Sequence, residues 1–464
     1  MATHVRKFHG GVHPVDPEKA RTRSLAIEDI PAPERVVLAL QQHIGAPAKA
    51  VVKKGDAVKR GQPVAEAGGF VSVPIHSPVS GKVVEVGTCR HVLGMDVPAV
   101  VVENDGEYTN ADGVGEAVPG ADELTPEEIK NRIRDAGLCG MGGAGFPTHV
   151  KLSPPPDKPV DALILNGAEC EPALSADHRV MLESAEGVLK GVAYLRRVLE
   201  RDGKLPATYI GIEDNKPDAI EAMKHARLNV DVECEIVPLH VRYPQGAEKQ
   251  LIYALLGREV PPQSQRGLPM DVGVVVQNVG TAFAVHEAID LGTPLIGRVL
   301  TIAGDAVGKP ANLRVAVGTP VPGLLESRDV APDAARVIFG GPMMGIAQYT
   351  SDLPVTKTTS GILVERGPIE QRFDPCIRCG RCVEVCPMQL VPTRLSVLAE
   401  ARMYDEMAEW GVIDCIECGC CSYTCPANRP IVHQVKLGKW LLAQAQKKAR
   451  AQQEKEKQGK GGAA

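Results

Sequence analysis

The sequence reads CIRCGRCVEVCP from Cys376 to Pro387 and CIECGCCSYTCP from Cys415 to Pro426. In both stretches four cysteines follow the spacing C-x2-C-x2-C-x3-C, and a proline comes directly after the fourth. Three thiolates from one tight loop can surround a cubane of iron and sulfide, while the cysteine before the proline points to a neighbouring cluster. The repeated spacing therefore predicts a helical two-cluster domain, residues 365–440, that carries two [4Fe–4S] clusters and relays single electrons.

The same spacing predicts which cysteines share a cluster, because the fourth cysteine of each run crosses to the other cluster. The alternative is structural zinc, but zinc needs only two C-x2-C pairs. Crossed ligation would tie the two halves together and keep the clusters close. The predicted ligand sets are Cys376, Cys379, Cys382 and Cys425 for the first cluster, and Cys415, Cys418, Cys421 and Cys386 for the second.

Length and composition predict several domains in a reducing compartment. The 464 residues are 44% hydrophobic and 23% charged, which suits two to four packed domains of a multidomain α/β protein. No basic stretch interleaved with aromatic residues predicts nucleic-acid binding. No apolar run approaches the roughly 18 residues of a membrane span, and the first ten residues lack a signal-peptide core. The other five cysteines are predicted to be packed and inert: Cys89, Cys139, Cys170, Cys234 and Cys420.

The N-terminal part, residues 1–105, is predicted to be a β-rich domain. Short valine-rich runs separated by turns lie between Val51 and Val86. They resemble the barrel-sandwich fold of biotinyl and lipoyl carrier domains. Ala67 to Phe70 lie where those carriers place the lysine that bears their cofactor, so a swinging arm is not expected.

The next part, residues 121–295, alternates helical and strand patterns after an acidic, glycine-rich linker. A helix is predicted from the N-cap Thr125, with Pro126 at its first position. The alternation favours a Rossmann-like, largely parallel sheet with helices on its faces. The predicted strands are Ala162 to Gly167, Ala207 to Glu213, Val232 to Leu239 and Val272 to Asn278, and predicted helical stretches include Ser175 to Glu200 and Pro217 to Leu228.

Residues 296–350 again show β-rich runs interrupted by glycine and proline. This pattern predicts a small α+β module. At the other end of the chain, residues 441–464 predict a polar helix followed by a disordered tail.

A glycine-rich stretch, GLCGMGGAGFPTHVKL from Gly137 to Leu152, is a candidate nucleotide loop. Its glycines let the main chain approach a phosphate closely, although a tight turn would need the same residues. An aromatic ring and a cation follow. The candidate binding residues are Gly140, Gly142, Gly143, Gly145, Phe146 and Lys151.

This stretch resembles the GRGGAGFPTGLKW motif of the NADH-binding flavoprotein subunit of respiratory complex I, where the loop holds FMN and NADH. Three further stretches resemble that family in the same order: LILNGAECEP, YPQGAEKQLIYALLGREVP and VVVQNVGTAFAV. Ala168 and Ala247 depart from acidic residues of the family pattern. The resemblance implies FMN as cofactor, NAD(H) as substrate, and these site residues: Asn166, Glu169, Glu171, Tyr243, Gly246, Glu248, Asn278 and Thr281.

Flavin and clusters would complement one another, because NADH gives up two electrons as hydride while iron–sulfur clusters accept one at a time. A flavin between NADH and the clusters would accept the two electrons together and pass them on one at a time. No residue is predicted to act as a separate catalytic acid or base.

The order of the parts, with HGGVHP at His9 to Pro14 and QQHIGAPAKAVVKKGDAVKRGQ at Gln41 to Gln62, resembles the RnfC family of Rnf electron-transport complexes. This resemblance covers about His9 to Trp440. It implies a peripheral subunit on the cytoplasmic side of the bacterial inner membrane. Its partners would be the other subunits of a complex that exchanges electrons between NADH and ferredoxin and moves ions. It also implies that residues 296–350 form a soluble-ligand-binding β-grasp (SLBB-like) module.

Two other functions are compatible with the sequence. A soluble NADH-dependent cobalamin reductase would share the glycine loop and the two-cluster domain. A scaffold with an electron relay and a degenerate nucleotide site would explain Ala168 and Ala247. The histidines of the Rnf-like stretches, His9, His13 and His43, are predicted to be structural.

Overall fold

The computed structural model describes residues 5–368 and 372–461. Its first part is a β unit of two sheets, with strand orders β2-β8-β7-β4 and β3-β5-β6, that share one core. The predicted β-rich domain is therefore present. The elements are α1 (Pro17–Thr22), β1 (Ile27–Asp29), β2 (Arg35–Ala39), β3 (Lys49–Ala50), β4 (Ala57–Val58), β5 (Pro63–Glu66), β6 (Ile75–His76), β7 (Gly81–Arg90) and β8 (Asp96–Asn104).

The second part is a four-stranded parallel sheet of order β11-β10-β9-β12 with helices on both faces. Its elements are α2 (Pro126–Asp135), α3 (Thr148–Lys151), β9 (Ala162–Gly167), α4 (Ala176–Glu183), α5 (Ala185–Val198), β10 (Ala207–Glu213), α6 (Pro217–Ala226), β11 (Glu235–Leu239), α7 (Glu248–Leu256), β12 (Val274–Asn278) and α8 (Val279–Asp290). Short 3₁₀ turns lie at Ala121–Glu123, Gln263–Gln265 and Pro269–Val272.

Side-chain alternation explains the two layers of helices. Leu163 and Leu165 of β9 pack with α2, α5 and α8, whereas Ile164 packs with α7 on the opposite face. Successive residues of a strand point to opposite faces, so a run of apolar residues buries both. The predicted parallel sheet is confirmed.

Details of the predicted elements differ in places. Thr125 caps α2 as predicted, and its hydroxyl accepts the Glu128 N–H at 3.3 Å. The helical stretch predicted from Ser175 to Glu200 is confirmed and consists of two helices, α4 and α5, because Ser184 leaves the helical conformation (φ −136°) between them. Strands β11 and β12 begin two or three residues later than predicted, where pairing with their neighbours begins.

The third part is a mixed six-stranded sheet of order β1-β14-β13-β17-β15-β16. Strand β13 pairs antiparallel with β14 and parallel with β17, and β1 extends the edge. The sheet thus uses strands on both sides of residues 296–350. The new elements are β13 (Gly297–Ala303), β14 (Ala311–Ala316), α9 (Val321–Glu326), β15 (Ala334–Phe339), β16 (Ile346–Gln348) and β17 (Gly361–Arg366).

The fourth part is a helical unit whose core includes Leu395, Met407 and Val435. The polar helix predicted after Trp440 is the end of α14, and the last three residues of the predicted disordered tail lie outside the described residues. Nowhere in residues 5–368 or 372–461 is a helix long and apolar enough to span a bilayer. The elements are α10 (Arg381–Glu384), α11 (Pro392–Glu400), α12 (Tyr404–Glu409), a 3₁₀ turn (Val412–Asp414), α13 (Cys420–Tyr423) and α14 (Ile431–Gly461).

Candidate functional site

The candidate flavin residues gather at the carboxyl edge of the parallel sheet. Asn166 is the second-last residue of β9 and donates from Nδ2 to the Gly246 carbonyl at 2.8 Å. Asn278 ends β12 and caps α8, where its Oδ1 accepts the N–H groups of Gly280 (2.9 Å) and Thr281 (3.3 Å). Parallel sheets bind ligands at this edge, because the strand ends and helix N-termini meet there.

The glycine-rich loop lies beside the cap of α8. The Thr281 hydroxyl accepts the Met141 N–H at 3.0 Å, and Gly140 donates to the Phe146 carbonyl at 2.8 Å. These bonds fix both ends of the loop, and its tip is exposed. A Cβ added at Gly143 would have no heavy atom within 4 Å, so the main chain there is open to a ligand.

Two of the loop glycines have packing reasons of their own. Gly145 has φ +68°, and a Cβ there would lie 2.6 Å from Cγ2 of Thr358. A Cβ at Gly142 would lie 3.0 Å from the Asn278 side chain. Gly145 therefore requires glycine for the fold, and a side chain at Gly142 would have to shift Asn278, whereas Gly143 has neither constraint.

The predicted cation, Lys151, is paired within the protein. Its ammonium lies 3.1 Å from Oε1 of Glu248 at the start of α7 and donates to the Val276 carbonyl at 3.2 Å. Both charged side chains remain about one-third exposed, so they can still be reached by a ligand. Phe146 is half-buried behind the loop.

Glu169 caps a helix. Its carboxylate accepts the N–H groups of Asp177 (2.9 Å) and His178 (3.2 Å) at the start of α4. Burial, and then the nearby Asp177 carboxylate, raise the pKa of Glu169.

Glu171 and Tyr243 extend from the sheet edge toward the second cysteine loop. Oε1 of Glu171 accepts the N–H groups of Met343 (2.6 Å) and Met344 (2.9 Å), and burial raises the pKa of Glu171. The Tyr243 hydroxyl donates to the carbonyl of Cys418 at 2.7 Å. Tyr243 therefore joins the candidate flavin site to the cysteine unit, and Glu171 joins it to the mixed sheet between β15 and β16.

The second cysteine loop and Cys386 enclose a small cavity. Cys386, Cys415, Cys418 and Cys421 all line it. Main-chain N–H groups donate to two of these sulfurs, from Leu390 to Cys386 at 3.4 Å and from Glu417 to Cys415 at 3.3 Å. The last cysteine of the first run thus lies with the first three of the second run.

The remaining four cysteines form the matching group. Burial, and then the neighbouring thiols of Cys425, Cys376 and Cys379, raise the pKa of Cys382. Cys379 is exposed, so this group lies at the outer end of the helical unit. In residues 5–368 and 372–461, no group of three or more His, Cys, Asp or Glu side chains is arranged to hold a single metal ion.

The other cysteines pack as predicted in three cases and are half-buried in two. Cys139, Cys234 and Cys420 are buried, and Cys89 and Cys170 are half-buried. Sγ of Cys170 accepts the Gly246 N–H at 3.2 Å, which places this thiol within the candidate flavin site.

Several polar residues of this site carry no motif and were missed by sequence reasoning. Asp177 accepts from Asn278 Nδ2 at 2.6 Å, and buried Arg298 donates to the Met141 carbonyl at 2.8 Å. Gln245 and Gln277 are buried, and among the described residues their Nε2 atoms have no hydrogen-bond partner. Their positions directly beside Gly246 and Asn278 are the only signal that the sequence offered.

The residues present fit the implied groups. The buried amide donors of Gln245 and Gln277, which have no partner among the described residues and lie next in sequence to Gly246 and Asn278, suit a flavin, whose ring presents carbonyl and nitrogen acceptors. Two sets of four thiols, with main-chain N–H groups directed at sulfur, suit tetranuclear clusters.

The HGGVHP stretch packs against the second cluster group. Gly11 donates to the Val385 carbonyl at 2.8 Å, and Val12 pairs with Tyr243. A Cβ at Gly10 would lie 2.8 Å from the carbonyl carbon of Cys386, so a larger residue would displace this ligand candidate. His43 is held by the main chain, because its Nε2 accepts the Val73 N–H at 3.2 Å.

Comparison with protein families defines the class of protein. Family models match an RnfC barrel-sandwich hybrid domain at residues 6–107, a Nuo51 FMN-binding domain at 133–287 and a 4Fe-4S dicluster domain at 368–426. The chain is thus an iron–sulfur protein with an FMN-binding domain of the complex I type.

Curated relatives define the family. The chain is 46% identical to the C subunit of the proton-translocating ferredoxin:NAD(+) oxidoreductase complex of Clostridium ljungdahlii, over 93% of both chains. It is 44% identical to the C subunit of the Na(+)-translocating complex of Acetobacterium woodii, over 95% of this chain and 98% of the relative. It is 40% identical to the C subunit of the ion-translocating oxidoreductase complex of Rhodobacter capsulatus, over 95% and 84%. The chain belongs to this family of C subunits.

Proposed function

We propose that this chain is the NADH-binding subunit of an ion-translocating ferredoxin:NAD(+) oxidoreductase complex, passing electrons between NADH, FMN and two [4Fe–4S] clusters. The observation that carries the proposal is the 2.7 Å hydrogen bond from the Tyr243 hydroxyl to the Cys418 carbonyl. It joins the nucleotide edge of the sheet directly to a cysteine loop. Its partners are the other subunits of the membrane complex, and ferredoxin through them, with the chain peripheral on the cytoplasmic side.

The candidate FMN and NADH site is the sheet edge around the glycine loop. When bound, FMN would supply the exchange between hydride transfer and single-electron transfer. The main chain of the exposed loop tip binds the negatively charged phosphate groups, next to the capped start of α8. Asn278 and Thr281 hold these two elements together, while Lys151 and Glu248 orient the nucleotide from the far side. The full set is Gly140, Gly142, Gly143, Gly145, Phe146, Lys151, Asn166, Glu169, Glu171, Tyr243, Gly246, Glu248, Asn278 and Thr281.

The clusters are crossed, with Cys386 serving the second loop and Cys425 serving the first. The cavity lined by Cys386, Cys415, Cys418 and Cys421 supports this assignment. The second cysteine loop lies beside Tyr243 and the flavin domain, whereas Cys379 of the first loop is exposed. A cluster held by the second loop would therefore accept electrons from the flavin before a cluster held by the first.

The six-stranded sheet contains a β-grasp module of the SLBB-like type. Five of its strands follow the order β14-β13-β17-β15-β16, with β13 and β17 parallel at the centre and α9 between the second and third strands in sequence. This arrangement supports the module proposed for residues 296–350, with β17 as its last strand.

Family membership favours this function over a soluble cobalamin reductase, since the relatives named above are subunits of ion-translocating complexes. The decisive experiment is anaerobic reconstitution followed by iron, sulfide and flavin analysis and titration with NADH. We expect about eight irons per chain, one FMN, and bleaching of the cluster absorbance by NADH. Zinc in place of iron would refute the redox function. Intact clusters without FMN binding or bleaching would instead indicate a relay scaffold.

Gly143→Ala tests whether the loop is a nucleotide site or only a tight turn. The added Cβ has open space, so we expect the free energy of unfolding to stay within about 0.5 kcal/mol of wild type. If a ligand lies on the loop tip, the methyl group should weaken FMN binding about tenfold, or about 1.4 kcal/mol. Fluorescence titration of the apoflavin protein measures the affinity.

Gly323→Ala is the matched control, because a Cβ at this position also has nothing within 4 Å and lies on α9. It should leave FMN affinity unchanged. Equal FMN affinity in wild type and Gly143→Ala would count against the loop as the flavin site.

A further inference from the structure

The two cysteine loops occupy equivalent positions in the helical unit, and each presents an equivalent surface. The first reads CIRCGRC from Cys376 to Cys382, and the second reads CIECGCC from Cys415 to Cys421. Their backbones match, with φ +57° at Arg378 and +58° at Glu417. The glycines that follow have φ +81° and +80°, and each precedes a short helix.

The flavin domain and the mixed sheet cover the second loop. Cys420 is fully buried, and the Cys418 carbonyl accepts from Tyr243. A Cβ at Gly419 would lie 2.9 Å from the Met343 carbonyl oxygen. Glu417 is paired with Lys439 at 2.7 Å. This surface is therefore an electron-transfer interface inside the chain.

The same surface of the first loop is open. Ile377 is 67% exposed and Phe373 is 54% exposed. Arg378 and Arg381, which match Glu417 and Cys420, are also exposed. A Cβ at Gly380 would meet nothing within 4 Å, in contrast to Gly419.

Charge distinguishes the open loop from the covered one. Residues 372–381 hold three arginines and one aspartate, a net charge of +2, in a chain of net charge −5. The matching residues 411–420 hold an aspartate and a glutamate and no Lys or Arg, a net charge of −2. Complementary charge steers electron-transfer partners and sets their orientation.

We propose that the first cysteine loop is the docking face for an acidic surface on a one-electron redox subunit of the membrane complex. Ile377 and Phe373 form its apolar centre, and Arg378 and Arg381 form its charged rim. The proposal rests on the proposed function for the redox step, in which one electron passes between the first cluster and an oxidised or reduced centre of the partner. No bond forms and no proton moves. Redox encounters of this kind use small interfaces, which suits a single exposed loop.

The test measures binding of the purified chain to the detergent-solubilised membrane complex, taken from a strain in which this subunit has been deleted. Biolayer interferometry at two ionic strengths gives the affinity. The double variant Arg378→Glu/Arg381→Glu reverses the rim charge. Glutamate already occupies the backbone conformation of Arg378 in the second loop, at Glu417, so the loop should keep its shape. We expect at least a tenfold weaker affinity at low salt and a smaller loss of affinity on adding salt than in wild type.

The matched control is Lys53→Glu/Lys54→Glu, which makes the same charge change at exposed positions of the N-terminal β unit. It should bind like wild type. Iron content, bleaching by NADH without an acceptor, and NADH oxidation with ferricyanide as a small acceptor should be unchanged in both double variants. Equal binding of the two double variants, or a chain that dimerises through this loop in sedimentation experiments, would overturn the docking face. If NADH does not bleach the wild-type protein, the proposed function is rejected. The binding comparison between the two double variants would still test the docking face.

Discussion

Cys386→Ser should remove the second cluster and leave the first. Cys386 lines the same cavity as Cys415, Cys418 and Cys421, although it belongs to the other cysteine run. Serine oxygen is a poor ligand for this iron, so we expect iron to fall from about eight to about four atoms per chain. The remaining cluster should belong to the group with the exposed Cys379.

The loss should also interrupt electron flow. Because the second cysteine loop lies against Tyr243, its cluster stands between the flavin domain and the first cluster. Dithionite should still reduce the remaining cluster of Cys386→Ser, while NADH should not. Electron paramagnetic resonance after each reductant measures both effects.

Two matched variants make the result specific. Cys234→Ser changes a buried cysteine in the core of the parallel-sheet unit and should retain about eight irons. Cys382→Ser should remove the first cluster and leave NADH reduction of the second intact. If Cys386→Ser instead lost the cluster of its own run, ligation would not be crossed.

Local sequence pattern predicted those site residues whose positions follow directly from the order of the strands. Asn166 and Asn278 lie at the ends of neighbouring parallel strands, so a common edge follows once the sheet is known. The N-cap at Thr125 and the cysteine spacings are likewise properties of a few consecutive residues.

Contacts between distant parts of the chain could not be predicted from local sequence pattern. Glu171 bonds to the main chain at Met343, and Gly10 packs against Cys386, across more than 170 residues in each case. Buried Asp177 and Arg298 lie at the site without any motif, and the break at Ser184 within a strongly helical stretch was not foreseen. These features depend on how the units pack together, which periodicity and spacing do not encode.

Lys357 is the largest such omission. It lies two residues after Val355, which packs in the core of the mixed sheet, in an ordinary-looking stretch, TKTTSG. Its side chain is nevertheless fully buried where three units meet. Its ammonium donates to the carbonyls of Pro74 in the β unit (2.8 Å) and Gly137 at the start of the glycine loop (2.7 Å). The main-chain N–H of Lys357 donates to Oε1 of Gln42 at 2.9 Å. Lys357 is thus placed to hold the glycine loop against both neighbouring units.

Lys357→Met should therefore destabilise the protein and weaken FMN binding together. Methionine fills most of the volume but leaves two buried carbonyls without a donor, at about 1–3 kcal/mol each. The two lost hydrogen bonds should lower the free energy of unfolding by about 2–6 kcal/mol. Removal of the buried charge offsets part of this loss below pH 8, and urea denaturation of the anaerobic protein measures the net change. Lys54→Met, at an exposed position, should change the free energy of unfolding by less than about 0.5 kcal/mol. A stable Lys357→Met protein that binds FMN normally would show that the amine is not needed to position the loop.

The pH dependence gives the lysine its own signature. Burial lowers the pKa of Lys357 from 10.5 to about 8. Between these two values the unfolded chain binds a proton that the folded chain has released, so the stability of wild type relative to Lys357→Met should rise with pH. The unfavourable contribution of the buried charge is complete below pH 8 and is relieved above it, by on the order of 3 kcal/mol over the full window.

The neighbouring groups should not obscure this signal. Burial, and then the charge of Lys357, lower the pKa of His76 to about 3, and burial raises the pKa of the Cys139 thiol. His76 should therefore exchange no proton in the folded state between pH 7 and pH 9, and Cys139 is present in both proteins. Measuring both proteins at pH 7, 8 and 9 gives the comparison. A constant difference in unfolding free energy across that range would mean that the buried ammonium keeps its proton, held by the two carbonyls more strongly than burial opposes it.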